Sequence, residues 1–239
     1  MTKRIAGLAL GVACLISSGA AAEDVTLPNT LVWTSFDTGS LGYNQSIAVG
    51  KTLEDAYGIS LRVLPTSTDQ SRLAPARDGR VSFALSGSDV FYAFEGVLGY
   101  ASPEWGPQPL TALVLAGAKN CLGMGVAANQ GMESLADLKG KRVGWVVASP
   151  ALQSNVRAFL AFAGLTTDDV QLVEAPSCGG AWEAFSNGQL DAMTAVTSGS
   201  GLLQQAASSP QGLAWLPTPL DDEEGGERLQ AASPHFTKR

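Results

Sequence analysis

The sequence is poor in the residues that metal binding and acid–base catalysis use most. It contains a single histidine, His235, and three cysteines, and these residues show no spacing typical of a metal site. No motif near His235 places a serine beside its ring, so a Ser-His catalytic pair is not expected. We therefore predict no metal ion, no cofactor and no catalytic residue, and we expect a protein that is not an enzyme.

Long apolar runs are lacking except at the N-terminus. Lys3 and Arg4 precede an apolar run from Ile5 to Ile16, and Ala20-Ala21-Ala22 follows as a small-residue cleavage site. We predict a signal peptide over residues 1–22, cleaved after Ala22, and a periplasmic product. No later run approaches the ~20 apolar residues that a membrane helix needs, so no direct membrane insertion of the mature chain is expected.

Basic residues are outnumbered by acidic ones. The chain has 15 lysines and arginines against 22 aspartates and glutamates. Removing residues 1–22 takes away two basic residues and no acidic residue, which leaves a formal charge of −9. Proteins that bind nucleic acid or anionic lipid usually carry the opposite balance, so we predict neither as a partner.

Cysteines are scarce after the signal peptide. An oxidising compartment allows one disulfide between Cys121 and Cys178, and the alternative is two small buried thiols. Cys14 would anchor a lipoprotein, but Gly11 stands where such a signal has an aliphatic residue. We therefore favour cleavage after Ala22.

Short apolar strands alternate with helical segments from residue 31 onward, which is typical of parallel sheets covered by helices. Ser149-Pro150 predicts a helix start, because serine caps free amides and proline fits the first helical position. The acidic segment Leu220–Gly226 is predicted to be a solvated loop. The 217 residues after the signal peptide suffice for one α/β domain or for two lobes of about a hundred residues each.

The turns that leave strands differ from the turns that enter them. Those that leave are rich in small hydroxyl residues, and they lie at residues 34–40, 65–71, 86–89, 148–150, 175–180 and 197–201. In an open α/β sheet these turns share the edge where ligands bind, and each begins a helix whose free N–H groups favour an anion. The pattern predicts an anion-binding edge; the alternative is that these residues only cap helices.

Several loops occur in the order found in one family of receptors. They are Asp37-Thr38-Gly39-Ser40-Leu41-Gly42-Tyr43, Pro65-Thr66-Ser67-Thr68-Asp69 followed by Arg72, Trp105-Gly106-Pro107-Gln108-Pro109 and Asp137-Leu138-Lys139-Gly140-Lys141-Arg142. On these motifs the chain resembles, from about Leu31 onward, the TAXI-type solute receptors of tripartite ATP-independent periplasmic (TRAP) transporters. It departs from the wider family at Ala148-Ser149-Pro150-Ala151, where many relatives have a Gly-Ser-Gly-Thr loop.

The resemblance implies a two-lobed fold of the periplasmic-binding-protein type II class. This is an α/β fold in which each lobe is a mostly parallel sheet flanked by helices. It implies lobe one at residues 23–117, lobe two at 118–216 and a return segment towards lobe one at 217–239. The elements that usually complete lobe one would then be missing, so we expect its C-terminal part to be incomplete and to leave apolar surface uncovered.

The resemblance also implies a function. Such a receptor captures a small carboxylate, an amino acid or an oxoacid such as glutamate or 2-oxoglutarate, and delivers it to the membrane permease subunits of a TRAP transporter. Two other functions remain open. One is a periplasmic sensor accessory or surface antigen with the same fold, and the less favoured one is a biosynthetic enzyme on a binding-protein scaffold.

The candidate ligand-binding residues come from both predicted lobes. Lobe one supplies Asp37, Ser40, Tyr43, Ser67, Thr68, Arg72 and Ser88, and lobe two supplies Ser149, Gln153, Asn155 and Thr197. Arg72 suits a bidentate contact with a carboxylate, or else it is a solvated helix arginine. Tyr43 closes over the ligand or packs the helix start. Asp37 would repel a second carboxylate but pair with an amino group.

Overall fold

Two β-sheets form the framework of the protein. The computed structural model describes residues 26–114, 121–196 and 199–236. The first sheet has three parallel strands in the order β2-β1-β3, and we call it, with its helices, lobe one. Its elements are β1 (Thr30–Ser35), α1 (Leu41–Tyr57), β2 (Ser60–Pro65), α2 (Asp69–Arg77), β3 (Phe83–Ala84) and α3 (Asp89–Glu95).

The second sheet is larger, and we call it, with its helices, lobe two. Its elements are β4 (Leu122–Val126), β5 (Arg142–Val146), α4 (Pro150–Phe162), β6 (Gln171–Ala175), α5 (Cys178–Ser186), β7 (Ala192–Val196), α6 (Gly201–Ala207), β8 (Ala214–Trp215) and α7 (Glu223–Ala232). The strand order is β6-β5-β7-β4-β8. Strand β5 runs parallel to both neighbours, whereas β4 is antiparallel to β7 and β8. The predicted mostly parallel α/β architecture is therefore confirmed.

Hydroxyl side chains start several helices, as the loop pattern indicates. The Ser40 hydroxyl accepts a hydrogen bond from the backbone N–H of Tyr43 at the start of α1, and Thr68 forms a capping box with Ser71 at the start of α2. Helix α1 ends at Gly58, whose φ of 67° is left-handed. These local signals fix where the loops at the sheet edge end and the helices begin.

The core is divided unevenly between the lobes. Lobe two has a large core in which Met124, Phe159 and Leu160 are almost fully buried. The core of lobe one is small, and it includes Tyr100 together with Ala151 from the first turn of α4. The two lobes therefore share packed side chains as well as a cleft.

The acidic segment predicted as a loop is partly helical. Asp222 caps α7 through a hydrogen bond from the N–H of Gly225, and Glu223 and Glu224 occupy the first turn, where the helix dipole favours carboxylates. Gly225 lies against Phe162, and a Cβ on this glycine would stand 2.9 Å from the ring. The acidic run is thus a helix start rather than a solvated loop.

Helix α7 packs along α4 of lobe two, and the chain then turns towards lobe one. Phe236 stacks edge-to-face on Phe159 with 5.7 Å between ring centroids. The hydroxyl of Ser233 lies 3.4 Å from that of Tyr92 in α3. The segment 217–236 therefore touches both lobes, and the predicted lobe boundaries stay a prediction.

Lobe one exposes large apolar side chains, which agrees with the expectation of uncovered apolar surface on this lobe. Phe94, Leu98 and Phe91 are about half exposed on and just after α3. Within the described residues no helix combines the length and the apolar character that crossing a membrane requires. The predicted signal peptide, residues 1–22, lies outside the described residues.

Asp191 holds together three elements of lobe two, and its replacement is expected to destabilise the fold. Its carboxylate accepts hydrogen bonds from the backbone N–H (2.8 Å) and guanidinium (2.6 and 3.1 Å) of Arg142 and from Gln130 (2.5 Å). Burial raises the pKa of Asp191, but the hydrogen bonds from Arg142 outweigh it and lower the pKa to about 2. Asp191→Asn should lower the free energy of unfolding by about 1–3 kcal/mol at pH 7 in urea titrations.

The matched control is Asp168→Asn at an exposed position, where the change should stay within about 0.5 kcal/mol. Because the folded-state pKa of Asp191 is depressed, its contribution is present above about pH 4 and is lost as the pH falls towards 2. An equal effect of both variants at pH 7 would contradict this role for Asp191.

Candidate functional site

A cavity lies between the two lobes, at the carboxyl ends of the parallel strands. Its volume is about 370 Å³, near the lower end of small-molecule pockets (~300–1,000 Å³). Both lobes line it. The polar lining residues are Asp37, Ser40, Gln45, Thr66, Ser67, Thr68, Asp69, Arg72, Ser86, Ser88 and Asp89 from lobe one and Ser149, Asn155, Cys178, Thr194 and Ser200 from lobe two.

A second concavity lies on lobe two alone. It encloses about 660 Å³ at the opposite edge of the second sheet, next to Asn129, Arg142 and Asn187. It has no lining residue from lobe one among the described residues, and the guanidinium of Arg142 is already paired with Asp191. The cavity between the lobes is therefore the candidate site.

The structure brings most of the predicted ligand-binding residues to this cavity. Eight of them line it, namely Asp37, Ser40, Ser67, Thr68, Arg72, Ser88, Ser149 and Asn155. Tyr43 and Gln153 do not; Tyr43 belongs to the first turn of α1, and the Gln153 side chain donates to the carbonyl of Val146 at 3.1 Å. Thr197 lies outside the described residues. The ligand-binding role of the eight stays a prediction.

Arg72 is neither free for a bidentate carboxylate nor solvated. Only 2% of it is exposed, and its Nη2 donates to Asp69 (2.8 Å) and Asp89 (3.1 Å) while its Nε donates to Ser86 (3.1 Å). Its guanidinium also lies 3.9 Å from the centroid of the Phe36 ring. The solvated alternative is therefore wrong, whereas the contact with a carboxylate stays a prediction, with Nη1 as the only guanidinium nitrogen that has no hydrogen-bond partner among the described residues.

Carboxylates of lobe one occupy the first turns of two helices of lobe two. Asp69 Oδ2 accepts a hydrogen bond from the N–H of Ala151 in α4, and Asp37 Oδ2 accepts one from the N–H of Gly179 in α5, both at 2.9 Å. These N–H groups and positive helix ends are the ones that the hydroxyl-rich loops offer to a solute anion. An anionic solute would have to compete with Asp37 and Asp69 for them.

Ser149 does not cap α4 with its side chain. Pro150 is the first residue of that helix, as predicted, but the Ser149 hydroxyl accepts a hydrogen bond from the backbone N–H of Asp69 at 3.3 Å. The carboxylate of Asp69 takes over the capping role at Ala151. Asp69 thus donates to Ser149 through its backbone and accepts from Ala151 through its carboxylate, and these two hydrogen bonds hold the lobes together at this point.

Two buried polar atoms beside the cavity have no hydrogen-bond partner among the described residues. They are Oδ1 of Asn155, in α4, and the hydroxyl of Thr194, in β7. These residues are 3% and 0% exposed, and both line the cavity. An unpaired buried polar atom costs about 1–3 kcal/mol, so we predict that a group entering the cavity bonds these two atoms.

The remaining wall is apolar. Phe36, Leu41, Leu152, Trp182 and Leu203 line it. Phe36 lies between Arg72 and Gly42, and a Cβ at residue 42 would stand 2.2 Å from the Phe36 ring. Phe36 is adjacent to Asp37 in the first predicted loop, but sequence reasoning missed these apolar residues because such residues also form ordinary cores.

The two cysteines are not bonded to each other. Both thiols are free. Cys121 precedes β4 and Cys178 follows β6, and these strands are three positions apart in the sheet, which corresponds to roughly 14 Å. A disulfide needs Cα atoms closer than about 7 Å, so the predicted pairing is wrong. Burial and then Asp37 raise the pKa of the Cys178 thiol to about 12.

His235 does have a serine beside it, contrary to the sequence prediction. Its Nδ1 lies 3.0 Å from the hydroxyls of Ser233 and Tyr92, and burial lowers the pKa of the ring. The Tyr92 hydroxyl also donates to Ser154 of α4 at 2.8 Å. None of these four residues lines the cavity, so this cluster ties the chain end to both lobes and is not part of the candidate site.

Comparison with known proteins places the chain in a family. The family model described as NMT1/THI5 like matches residues 55–238, which is more than half of the chain. The chain belongs to the NMT1/THI5-like family. No curated protein matches the sequence significantly.

Solved structures share the fold of this NMT1/THI5-like protein. The alkanesulfonate-binding protein SsuA from Xanthomonas axonopodis pv. citri, bound to MOPS, is 18% identical with a TM-score of 0.52, over 81% of this chain and 62% of that chain. An ABC transporter periplasmic binding protein from Brucella ovis with glutathione bound is 16% identical with a TM-score of 0.55, over 79% and 58%. The arginine-bound AbpA from Streptococcus pneumoniae is 17% identical with a TM-score of 0.51, over 85% and 87%.

These comparisons confirm the two-lobed periplasmic-binding-protein type II fold. The NMT1/THI5-like chain spans 62% and 58% of the lengths of the first two structures named above. They show the fold alone, and the family rests on the NMT1/THI5-like match. The narrower resemblance to TAXI-type receptors is not supported by them.

A matched pair of threonine variants tests whether the Thr194 hydroxyl lacks a hydrogen-bond partner in the solute-free protein. Thr34 and Thr194 are both fully buried, but the Thr34 hydroxyl donates to the carbonyl of Arg72 at 2.7 Å. Thr34→Val should lower the free energy of unfolding by about 1 kcal/mol, whereas Thr194→Val should leave it unchanged or raise it slightly. Urea denaturation of the solute-free protein measures both. An equal loss in both variants would show that the Thr194 hydroxyl has a structural partner.

Asp69 should make the stability depend on pH between about 4 and 6. Burial and the neighbouring Asp89 raise the pKa of Asp69 from 3.8 to about 6. The folded state therefore binds this proton more tightly than the unfolded state, so the contribution of the group is favourable at low pH and declines as the pH rises through this window. Relative to Asp69→Asn, the wild type should lose about 2 kcal/mol of unfolding free energy from pH 4 to pH 7.

The control for this pH effect is Asp55→Asn, at an exposed site of α1. This variant should follow the wild-type pH profile in thermal or urea denaturation. If the Asp69→Asn profile were parallel to that of the wild type from pH 4 to pH 7, Asp69 would not titrate in this range.

Proposed function

We propose that this NMT1/THI5-like protein is an extracytoplasmic solute-binding receptor, which captures a small solute between its lobes and delivers it to a membrane transporter. The observation that carries the proposal is the cavity between the lobes, into which each lobe presents polar groups. Asn155 and Thr194 support it most directly, because their buried polar atoms lack partners among the described residues. The shared type II binding-protein fold supports it as well.

Closure of the lobes around the solute would rest on a small number of contacts. Asp37 and Asp69 bond helices of lobe two, and the N–H of Gly201 donates to the carbonyl of Gly39 at 2.9 Å. A micromolar solute needs about 8 kcal/mol of net binding free energy. A few charge-assisted hydrogen bonds at about 1.5–3 kcal/mol each, together with apolar contacts, meet this requirement after the costs of closure.

The solute class implied by the resemblance was a small carboxylate, either an amino acid or an oxoacid. The contacts of Arg72 weigh against an oxoacid, because this cation is already shared by two aspartates. Asp37 suits an amino group, since one of its oxygens is not committed to Gly179. Of the two classes, an amino acid is supported better than 2-oxoglutarate.

The type of transporter has two candidates. Solved neighbours are described as ABC transporter binding proteins, which makes an ABC permease the first partner to test. The loops at residues 37–43 and 65–69 are the grounds for a TRAP permease. Capture of permease subunits from membranes by the immobilised mature protein distinguishes the two.

Binding is favoured over catalysis by the chemistry of the lining residues. Cys178 is the only thiol among the described lining residues, and its raised pKa makes it a poor nucleophile. Both oxygens of Asp69 and both oxygens of Asp89 already accept hydrogen bonds. The one serine hydroxyl that donates to an aspartate among the described lining residues is that of Ser86, and both it and its acceptor, Asp89, also accept hydrogen bonds from Arg72.

The proposal predicts a bound small molecule and a defined effect of Asn155. Native mass spectrometry of the mature protein from its own periplasm should show a small-molecule adduct. Adding the identified solute at about 100 times its dissociation constant should stabilise the fold by about 2.7 kcal/mol. Asn155→Leu should weaken binding tenfold or more in calorimetry, because it removes a buried acceptor at the cavity.

The control is Asn129→Leu, which is exposed on the other concavity and should bind normally. The proposed receptor function would be contradicted if neither native mass spectrometry nor a broad solute library detected a bound molecule. Chemical turnover of the bound solute would favour the enzyme instead.

A further inference from the structure

We infer that the cavity selects a solute with one positive charge on an apolar body, and that Asp37 receives the cationic nitrogen. The inference rests on the proposed receptor function and names the class of solute. It makes a carboxylate on the solute unnecessary and excludes a dicarboxylate.

The charge of the lining favours a single cation. Among the described lining residues, Asp37, Asp69 and Asp89 are acidic and Arg72 is the one basic residue, which gives a formal charge of −2. The N–H groups of Ala151 and Gly179, in the first turns of α4 and α5, are already opposed by two of these carboxylates. The net negative charge of the lining side chains favours a cationic over an anionic solute.

Asp37 is the carboxylate with a free acceptor. Asp69 bonds Arg72 with one oxygen and Ala151 with the other, and Asp89 bonds Gly87 with one oxygen and both Ser86 and Arg72 with the other. Asp37 uses Oδ2 for Gly179, and its Oδ1 has no hydrogen-bond partner among the described residues. A cationic nitrogen can bond this oxygen without breaking a contact between the lobes.

At Arg72, a solute anion could reach only Nη1, which lies beside two carboxylates. The Arg72 guanidinium is stacked on Phe36 and shared by two aspartates. A carboxylate brought to it would meet those two aspartates at close range, where like charges repel strongly because little water screens them. The helix N–H groups of Ala151 and Gly179 are also occupied by lobe-one carboxylates.

The unpartnered atoms of lobe two point to the same class of solute. Asn155 Oδ1 can only accept a hydrogen bond, and the Thr194 hydroxyl can accept one as well. Both residues are more than nine-tenths buried beside the cavity. A solute N–H group can bond Asp37, Asn155 Oδ1 and the Thr194 hydroxyl, whereas a carboxylate could bond only donors, namely the Thr194 hydroxyl and the Asn155 amide nitrogen, and would be repelled by Asp37.

The apolar walls set the character of the solute body. Phe36 and Trp182 contribute aromatic rings, and Leu41, Leu152 and Leu203 contribute aliphatic surface. A purely polar dication would leave this surface without a partner. A primary amine on an aromatic or branched aliphatic body matches both parts of the cavity.

Matched probes of opposite charge test the inference. Phenethylamine and 3-phenylpropionate share a ring and a short chain, phenylalanine carries both charges, and glutarate is a dicarboxylate. In isothermal titration calorimetry at pH 7.5, phenethylamine should bind at least tenfold more tightly than 3-phenylpropionate and at least as tightly as phenylalanine, and glutarate should give no binding heat. Asp37→Asn should weaken phenethylamine binding tenfold or more.

Asp37→Asn keeps a side-chain oxygen for the N–H of Gly179, so the variant should remain folded, which its thermal denaturation verifies. Asp78→Asn, on the surface of lobe one, is the control and should bind like the wild type. Tighter binding of 3-phenylpropionate or glutarate than of phenethylamine, or amine binding unchanged in Asp37→Asn, would overturn the inference and leave the receptor function standing.

If none of the four probes binds, the charge of the solute found by native mass spectrometry decides whether the inference holds. A solute with one cationic nitrogen that loses affinity in Asp37→Asn supports the inference, and an anion, or a solute that Asp37→Asn binds as tightly as the wild type does, overturns it. If the protein binds no solute of any charge, both the proposed receptor function and the inference are contradicted.

Discussion

The buried guanidinium of Arg72 is the constraint on which the site depends. A charge that is 2% exposed is stable only if it is paired and hydrogen-bonded on several sides. Asp69, Asp89 and Ser86 provide those bonds, and Phe36 covers one face of the group. These partners come from three different loops at the sheet edge, so one side chain fixes the relative positions of all three.

This arrangement couples the interior of lobe one to lobe two. Asp69 pairs with Arg72 through one oxygen and with Ala151 through the other. The same carboxylate therefore neutralises a buried cation and holds the first turn of α4. Removing Arg72 would leave two buried carboxylates close together, a far larger penalty than the loss of one surface ion pair.

Contacts that close the lobes without a solute also affect binding. A solute gains affinity only through what it adds to the closed state, and any group that must displace Asp37 or Asp69 gives up part of that gain. A solute that uses the free oxygen of Asp37 keeps the contact with Gly179 and adds to it. Under the proposed receptor function, these contacts favour a solute that bonds the free oxygen of Asp37 over one that displaces Asp37 or Asp69.

The sequence predicted the framework well because local signals determine it. The strands, the glycine at the end of α1 and the serine and threonine caps of α1 and α2 all depend on residues close in the chain. The same reasoning failed for Leu220–Gly226, where acidic residues suit a loop and a helix start equally well until Gly225 is seen against Phe162. It also failed for Cys121 and Cys178, whose separation depends on the strand order.

The site was predicted only in part, because the loop pattern alone does not show which partner each hydroxyl bonds. Sequence order showed that hydroxyl-rich loops would gather at one edge, and it left open whether they bind an anion or cap helices. In the structure, Ser40 and Thr68 cap helices, whereas Ser149 bonds the other lobe. Capping therefore accounts for much of the hydroxyl pattern without any solute.

The two buried polar groups that line the cavity without a hydrogen-bond partner do not belong to the hydroxyl-rich loops. Thr194 is inside a strand and Asn155 is inside a helix, and a sequence offers no sign that such a residue lacks a partner. That depends on every neighbour in the fold. Because a buried polar atom without a partner lowers stability, its presence beside a cavity is a stronger indication of binding than a loop rich in serine.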